Sequence, residues 1–234
     1  MLQVQALQVG YPQRVLFKNM HFSCKKGQLT CLLGRNGAGK SSLIRALSGL
    51  QAQTAGEILI ENIPLSKLKL QEIAQKVAIV LSDKPQTEYL TVYETVAFGR
   101  TPYLNWQGIY TSEDKIIIEK SLEITYLQDF SQKYLHTLSD GERQRVMLAR
   151  ALAQDTPIII LDEPTAYLDV YYRKQMMSLL KKIAQEQQKC ILLSTHEVDL
   201  ALELANQLIL VNLRGEFQCL ETWEQNKVYD FLEI

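Results

Sequence analysis

Leu29-Thr30-Cys31-Leu32-Leu33 runs without a break into Gly34-Arg35-Asn36-Gly37-Ala38-Gly39-Lys40-Ser41, and Ser42 to Leu50 then takes up helical spacing. This order of apolar strand, glycine-rich loop and helix decides the fold, because the loop matches GxxxxGK[ST] in the setting that gives the pattern its physical meaning. Glycines let backbone N–H groups converge on phosphate oxygens, and the helix that follows presents the positive end of its dipole. A glycine-rich turn with an exposed lysine would explain the glycines but not the strand-to-helix setting. Gly34, Asn36, Gly37, Ala38, Gly39, Lys40, Ser41 and Ser42 are therefore expected to hold the phosphates of a nucleotide, with Lys40 on the outer ones. The Ser41 hydroxyl is a candidate ligand for Mg²⁺.

Outward from this loop, Ile158-Ile159-Ile160-Leu161 is a second apolar strand, and it ends in Asp162-Glu163. Two acids at a strand end are common by themselves; after a phosphate loop they form a Walker B arrangement. Asp162 is expected to hold Mg²⁺ through its water shell, and Glu163 to polarise an attacking water. Val77–Leu81, Ile191–Ser194 and Leu208–Val211 are further short apolar runs, with helical segments between most of them. Such runs predict buried, mainly parallel strands of an α/β sheet. Leu2–Val9, Val15–Cys24 and Glu57–Ile60 read as additional strands, and the stretch from about Thr91 to Ala153 is largely helical in pattern.

Composition adds exclusions. At 234 residues the chain holds one functional unit, and a formal net charge of -1 gives no global attraction to nucleic acid or anionic lipid. Cys24, Cys31, Cys190 and Cys219 are scattered, with no CxxC pair to suggest zinc. Uninterrupted apolar runs such as Ile158 to Leu161 are far below the roughly 18 residues of a membrane span. Residues 1 to 10 lack a basic stretch followed by an apolar one, so any membrane role is expected to come through another chain.

Just before the Walker B strand stands Leu138-Ser139-Asp140-Gly141-Glu142-Arg143-Gln144-Arg145. Ser139 and Glu142 form a capping box, which starts a helix well whatever else it does. Here the chain resembles ABC ATPases, whose signature is commonly LSGGQ, and the resemblance extends from Tyr11 to about Gly215. It implies that Ser139, Gly141 and Glu142 clamp the γ-phosphate bound to a second subunit, and hence a head-to-tail homodimer with two ATP molecules at its interface. It implies also that Tyr11 stacks on adenine, that Asp169 in Ala166-Tyr167-Leu168-Asp169 couples the two sites, and that His196, closing Ser194-Thr195-His196, is the switch histidine touching the γ-phosphate. With Glu163, His196 completes the catalytic pair.

The expected architecture is a P-loop α/β core with an N-terminal antiparallel β region, formed by residues 1–83 and 155–234, and an inserted helical subdomain over 84–154. Where the family carries a glutamine that contacts Mg²⁺ and the membrane subunit, this chain has Ser82; Gln86 could substitute from four residues later. Leu90 to Tyr103 looks like the corresponding stretch in bacterial importers of metal chelates such as iron-siderophores, haem or cobalamin. The resemblance then implies integral permease partners, a periplasmic or surface substrate-binding protein acting indirectly, no nucleic acid, and a peripheral place on the cytoplasmic face of the inner (plasma) membrane. Ser82 to Trp106 is the expected docking surface, with Tyr103 and Trp106 as contacts. A non-transport ABC ATPase would be expected to carry a coiled-coil insert, a zinc motif, a second cassette or a basic surface, none of which is visible. A module that only holds ATP would need a defective acid or switch histidine, yet Glu163 and His196 are present.

Overall fold

The computed structural model describes residues 1–82, 89–166 and 168–233. Its strands are β1 (Leu2–Tyr11), β2 (Arg14–Cys24), β3 (Leu29–Leu33), β4 (Ala55–Ile60), β5 (Ile63–Pro64), β6 (Val77–Val80), β7 (Ile158–Asp162), β8 (Cys190–Thr195), β9 (Gln207–Val211) and β10 (Phe217–Leu220). Its helices are α1 (Lys40–Leu47), α2 (Leu70–Ala74), α3 (Val92–Ala97), α4 (Ser112–Ile124), α5 (Asp140–Ala153), α6 (Val170–Glu186), α7 (Val198–Leu204) and α8 (Gln225–Leu232).

One sheet has the order β10-β9-β3-β8-β7-β6, parallel except for β10, and the other, β2-β1-β4-β5, is antiparallel. The continuous apolar runs follow from burial on both faces of the first sheet. Leu32, Ile158, Ile160, Leu192 and Ile209 point toward α1 and the antiparallel sheet, whereas Leu33, Ile159, Leu161, Leu193 and Leu208 join a core with α5 and α6. A one-residue slip of any of these strands would exchange its two faces. The register pairs Leu33 with Thr195, Leu161 with Leu193, and Val80 with Leu161. The carboxyl ends of β3, β6, β7 and β8 thus lie along one edge, where open α/β sheets bind ligands.

Two expectations need adjustment. Helical spacing from Ser42 to Leu50 overruns the real helix, which begins at Lys40 and stops at Leu47. Gly49, at φ 78°, accounts for the stop: its N–H donates to Ala46 O and that of Leu50 to Arg45 O, the Schellman pattern that a left-handed glycine permits. The stretch from Thr91 to Ala153 is helical in pieces. A 3₁₀ segment, Phe98–Tyr103, containing Pro102 follows α3, and α4 and α5 each start at their own capping box, on Thr111 with Asp114 and on Ser139 with Glu142. No helix among the described residues is long and apolar enough to cross a membrane.

Candidate nucleotide site

The loop after β3 needs its glycines for definite reasons. A Cβ at Gly34 would lie 2.6 Å from the Val211 carbonyl oxygen, and Gly39, at φ 94°, is the left-handed residue that starts α1. No side chain caps that helix and its first turn holds no acid, so its N-terminal N–H groups face the cleft unneutralised. Lys40 is only 6 % exposed. Its Nζ donates to the Gly34 carbonyl at 2.7 Å and lies 3.2 Å from Glu163 Oε1. A buried ammonium needs such partners.

Across the cleft, β7 delivers Asp162 and Glu163. Asp162 is 1 % exposed, and its Oδ1 accepts a 2.6 Å hydrogen bond from Ser194 Oγ. The same hydroxyl accepts from the Glu163 N–H at 2.9 Å. Ser194, paired with Asp162 across β7 and β8, therefore fixes both acids from the neighbouring strand. Glu163 adopts φ 52°, a left-handed conformation that a non-glycine residue keeps only when its surroundings over-determine it. Its Oε2 lies 2.8 Å from His196 Nδ1.

Lys40, Glu163 and His196 line a cleft of about 660 Å³ together with Tyr11, Asn36, Gly37, Gly39, Ser41, Ser42, Ser82 and Arg173, whereas Gly34, Ala38 and the buried Asp162 do not line it. Tyr11, which lines the cleft, is 49 % exposed, and its hydroxyl lies 3.1 Å from Ser42 Oγ. Ser41, in the first turn of α1, and Asp162, at the end of β7, are hard oxygen donors of the kind Mg²⁺ takes beside phosphates.

Ser139, Gly141, Glu142 and Asp169 do not line this cleft. Ser139 is exposed at the start of α5, where its Oγ and N–H both donate to Glu142 Oε2 at 2.7 Å and its Oγ accepts from the Glu142 N–H at 3.3 Å. Burial pushes the Glu142 carboxyl up, but the bonds from Ser139 outweigh it and hold the group below the usual carboxylate range. Asp169 Oδ1 accepts from the Tyr172 N–H and caps α6. Ser82 reaches the cleft from the end of β6; Gln86 lies outside the described residues.

A strand-loop-helix phosphate cradle facing two acids and a histidine, at the carboxyl edge of a mostly parallel sheet, defines a P-loop nucleotide hydrolase. The pattern of the ABC transporter family matches residues 17–166, and the chain belongs to that family as an ATP-binding, ATP-hydrolysing subunit. It is 34% identical over 208 residues to the iron(3+)-hydroxamate import ATP-binding protein FhuC of Bacillus subtilis, across 89% of this chain and 77% of that one. Among solved structures, a chain of an inward-facing ABC transporter described as metal-chelate type superposes with a TM-score of 0.86 at 27% identity, covering 99% of this chain and 88% of that chain. The dimeric ATP-binding cassette MJ0796, in a post-hydrolysis state bound to ADP and Pi, gives 0.79 at 27% identity over 95% of this chain and 100% of that chain.

Proposed function

We propose that this chain powers the import of a metal chelate, working as a homodimer that closes around two ATP molecules on the cytoplasmic face of the membrane and docks on integral permease subunits. A substrate-binding protein outside the membrane would deliver the chelate. The names of FhuC and of the metal-chelate-type structure support the cargo class, and the MJ0796 dimer supports the pairing. Residues 1–83 and 155–234 would form the nucleotide-binding core, and 84–154 the helical subdomain.

The observation that carries the chemistry is the convergence of Lys40, Glu163 and His196. Phosphates entering the loop take Lys40 away from Glu163, which frees Oε1 to accept a proton from the attacking water. His196 holds Oε2 and reaches toward the γ-phosphate. Ser41 and Asp162 would hold Mg²⁺, which neutralises charge on the phosphate oxygens. Ser139 and Gly141, outside their own chain's cleft, would complete the partner's site, with Glu142 buttressing Ser139 and Asp169 coupling the two sites. The rate then comes from positioning and charge neutralisation.

Glu163→Gln is expected to bind ATP while turnover falls by about 10²- to 10⁴-fold. Light scattering on this variant with ATP should give a dimer, lost when Ser139→Arg is added. A protein that holds ATP but stays monomeric at all concentrations would count against the composite site.

A further inference from the structure

Arg173 stands in the first turn of α6, near the positive end of the helix dipole, where a cation is disfavoured. What compensates it is a set of directed contacts. Its Nε donates to the Leu168 carbonyl at 2.7 Å, and its Nη1 forms an ion pair with Glu197 Oε1. The same oxygen of Glu197 lies 3.1 Å from His196 Nε2. Glu197 occupies the N-cap position of α7, yet its side chain caps nothing there. Its carboxylate is committed to His196 and Arg173.

His196 is half exposed, on the turn after β8. Held only through Nδ1 by Glu163, its ring could pivot about that single contact. The Glu197 carboxylate, 3.1 Å from Nε2, confines the opposite edge of the ring until a γ-phosphate arrives to take that nitrogen. We propose that Arg173 is a positioning residue for hydrolysis: it fixes Glu197, Glu197 fixes the imidazole of His196 against Glu163, and the bond to Leu168 ties that orientation to the turn preceding α6. A shift of that turn would then reach His196 through two side chains. A guanidinium suits this because its rigid fork serves two acceptors in different directions, whereas an ammonium is a single point charge on a flexible stem. The inference rests on the hydrolytic role given to His196 above.

The full chain contains three histidines, so selective labelling gives a ring spectrum simple enough to assign. In Arg173→Ala, the His196 ring signals should move while those of His21 and His136 stay, kcat should fall by about tenfold to a hundredfold, and KM for ATP should stay within about twofold. Arg173→Lys should recover part of kcat. Glu197→Ala should reproduce Arg173→Ala, with the double variant no worse than either alone. Should Arg173→Ala not fold, Arg173→Lys carries the same two readouts. Unmoved His196 signals would overturn the proposal, as would a raised KM at constant kcat, which would place Arg173 on the nucleotide itself. Because ring signals need no turnover, a wild-type chain that hydrolysed nothing would count against the hydrolytic reading while the positioning contact was still tested.

Discussion

Tyr11 shows how little a single residue needs to contribute in order to matter. Its ring is half exposed where it lines the cleft, and its hydroxyl shares a hydrogen bond with Ser42. Stacking contributes about 0.5 to 1.5 kcal/mol, so Tyr11→Ala should raise the Kd for ATP by up to about tenfold while Tyr11→Phe changes it little. Equilibrium binding with a fluorescent nucleotide checks both; complete loss in the alanine variant would refute a stacking role. Lys40, Asp162 and Glu163 stand out in the sequence because each sits in a local pattern whose chemistry needs that residue type, whereas His196 is singled out only by the resemblance to ABC ATPases. Ser194, Arg173 and Glu197 do not stand out. Ser194 serves β7 only because the parallel register sets it beside Asp162, and Arg173 meets Glu197 only because α6 and α7 start at the same edge. Neither relation leaves a mark in linear spacing, although an arginine four residues after a helix-capping aspartate, where the dipole opposes it, was the one available hint.

Among elements, the parallel strands were plain because burial on both faces demands unbroken apolar runs. Helix limits between Thr91 and Ala153 were harder, since tertiary contacts set them. Arg100 is the clearest case. It lies in the 3₁₀ segment after α3, nearly buried, with Nε donating to Asp114 Oδ1 at 2.8 Å and Nη1 to the Ala153 carbonyl at 3.0 Å. It thus ties three helical pieces together. Burial pushes the Asp114 carboxyl up, but hydrogen bonds from Arg100 and Thr111 prevail and hold it below the usual aspartate value. Removing one partner of such a pair strands the other, so Arg100→Leu should cost about 3 to 5 kcal/mol at neutral pH. Because the folded-state value is depressed, the pair's contribution is complete above the ordinary aspartate pKa of about 4 and is lost as pH falls through the lower folded value. Denaturant titrations of wild type and Arg100→Leu should therefore converge on acidification. A gap that stayed constant down to pH 2 would show that the carboxylate charge is not what holds these helices.

At the scale of the whole molecule, an ATPase that moves cargo must pass its closure to another chain, and some part of its surface must hold that chain. Tyr103 and Trp106 were both expected there, and the structure separates them. The Tyr103 hydroxyl donates to the Gln154 carbonyl at 3.0 Å and its ring lies 4.0 Å from the Arg100 guanidinium, so it braces its own subunit. Its replacement would disturb folding and docking together. Trp106 is 92 % exposed, and Ile109 on the same segment is 61 % exposed. Large apolar side chains left in water carry a solvation cost within the monomer, and tryptophan is among the residues on which binding energy concentrates at interfaces. Trp106→Ala should then leave the isolated protein's stability within about 0.5 kcal/mol and its ATPase rate within about twofold, since nothing in the nucleotide cleft depends on it. Reconstituted with the permease, the variant should lose at least about 2 kcal/mol of docking affinity, roughly thirtyfold, and transport should fall accordingly. Docking affinity measured by surface binding, beside transport in proteoliposomes, separates the two effects: unchanged values in both would move the docking face away from this segment, whereas loss of ATPase activity in the isolated subunit would mean that Trp106 serves the fold.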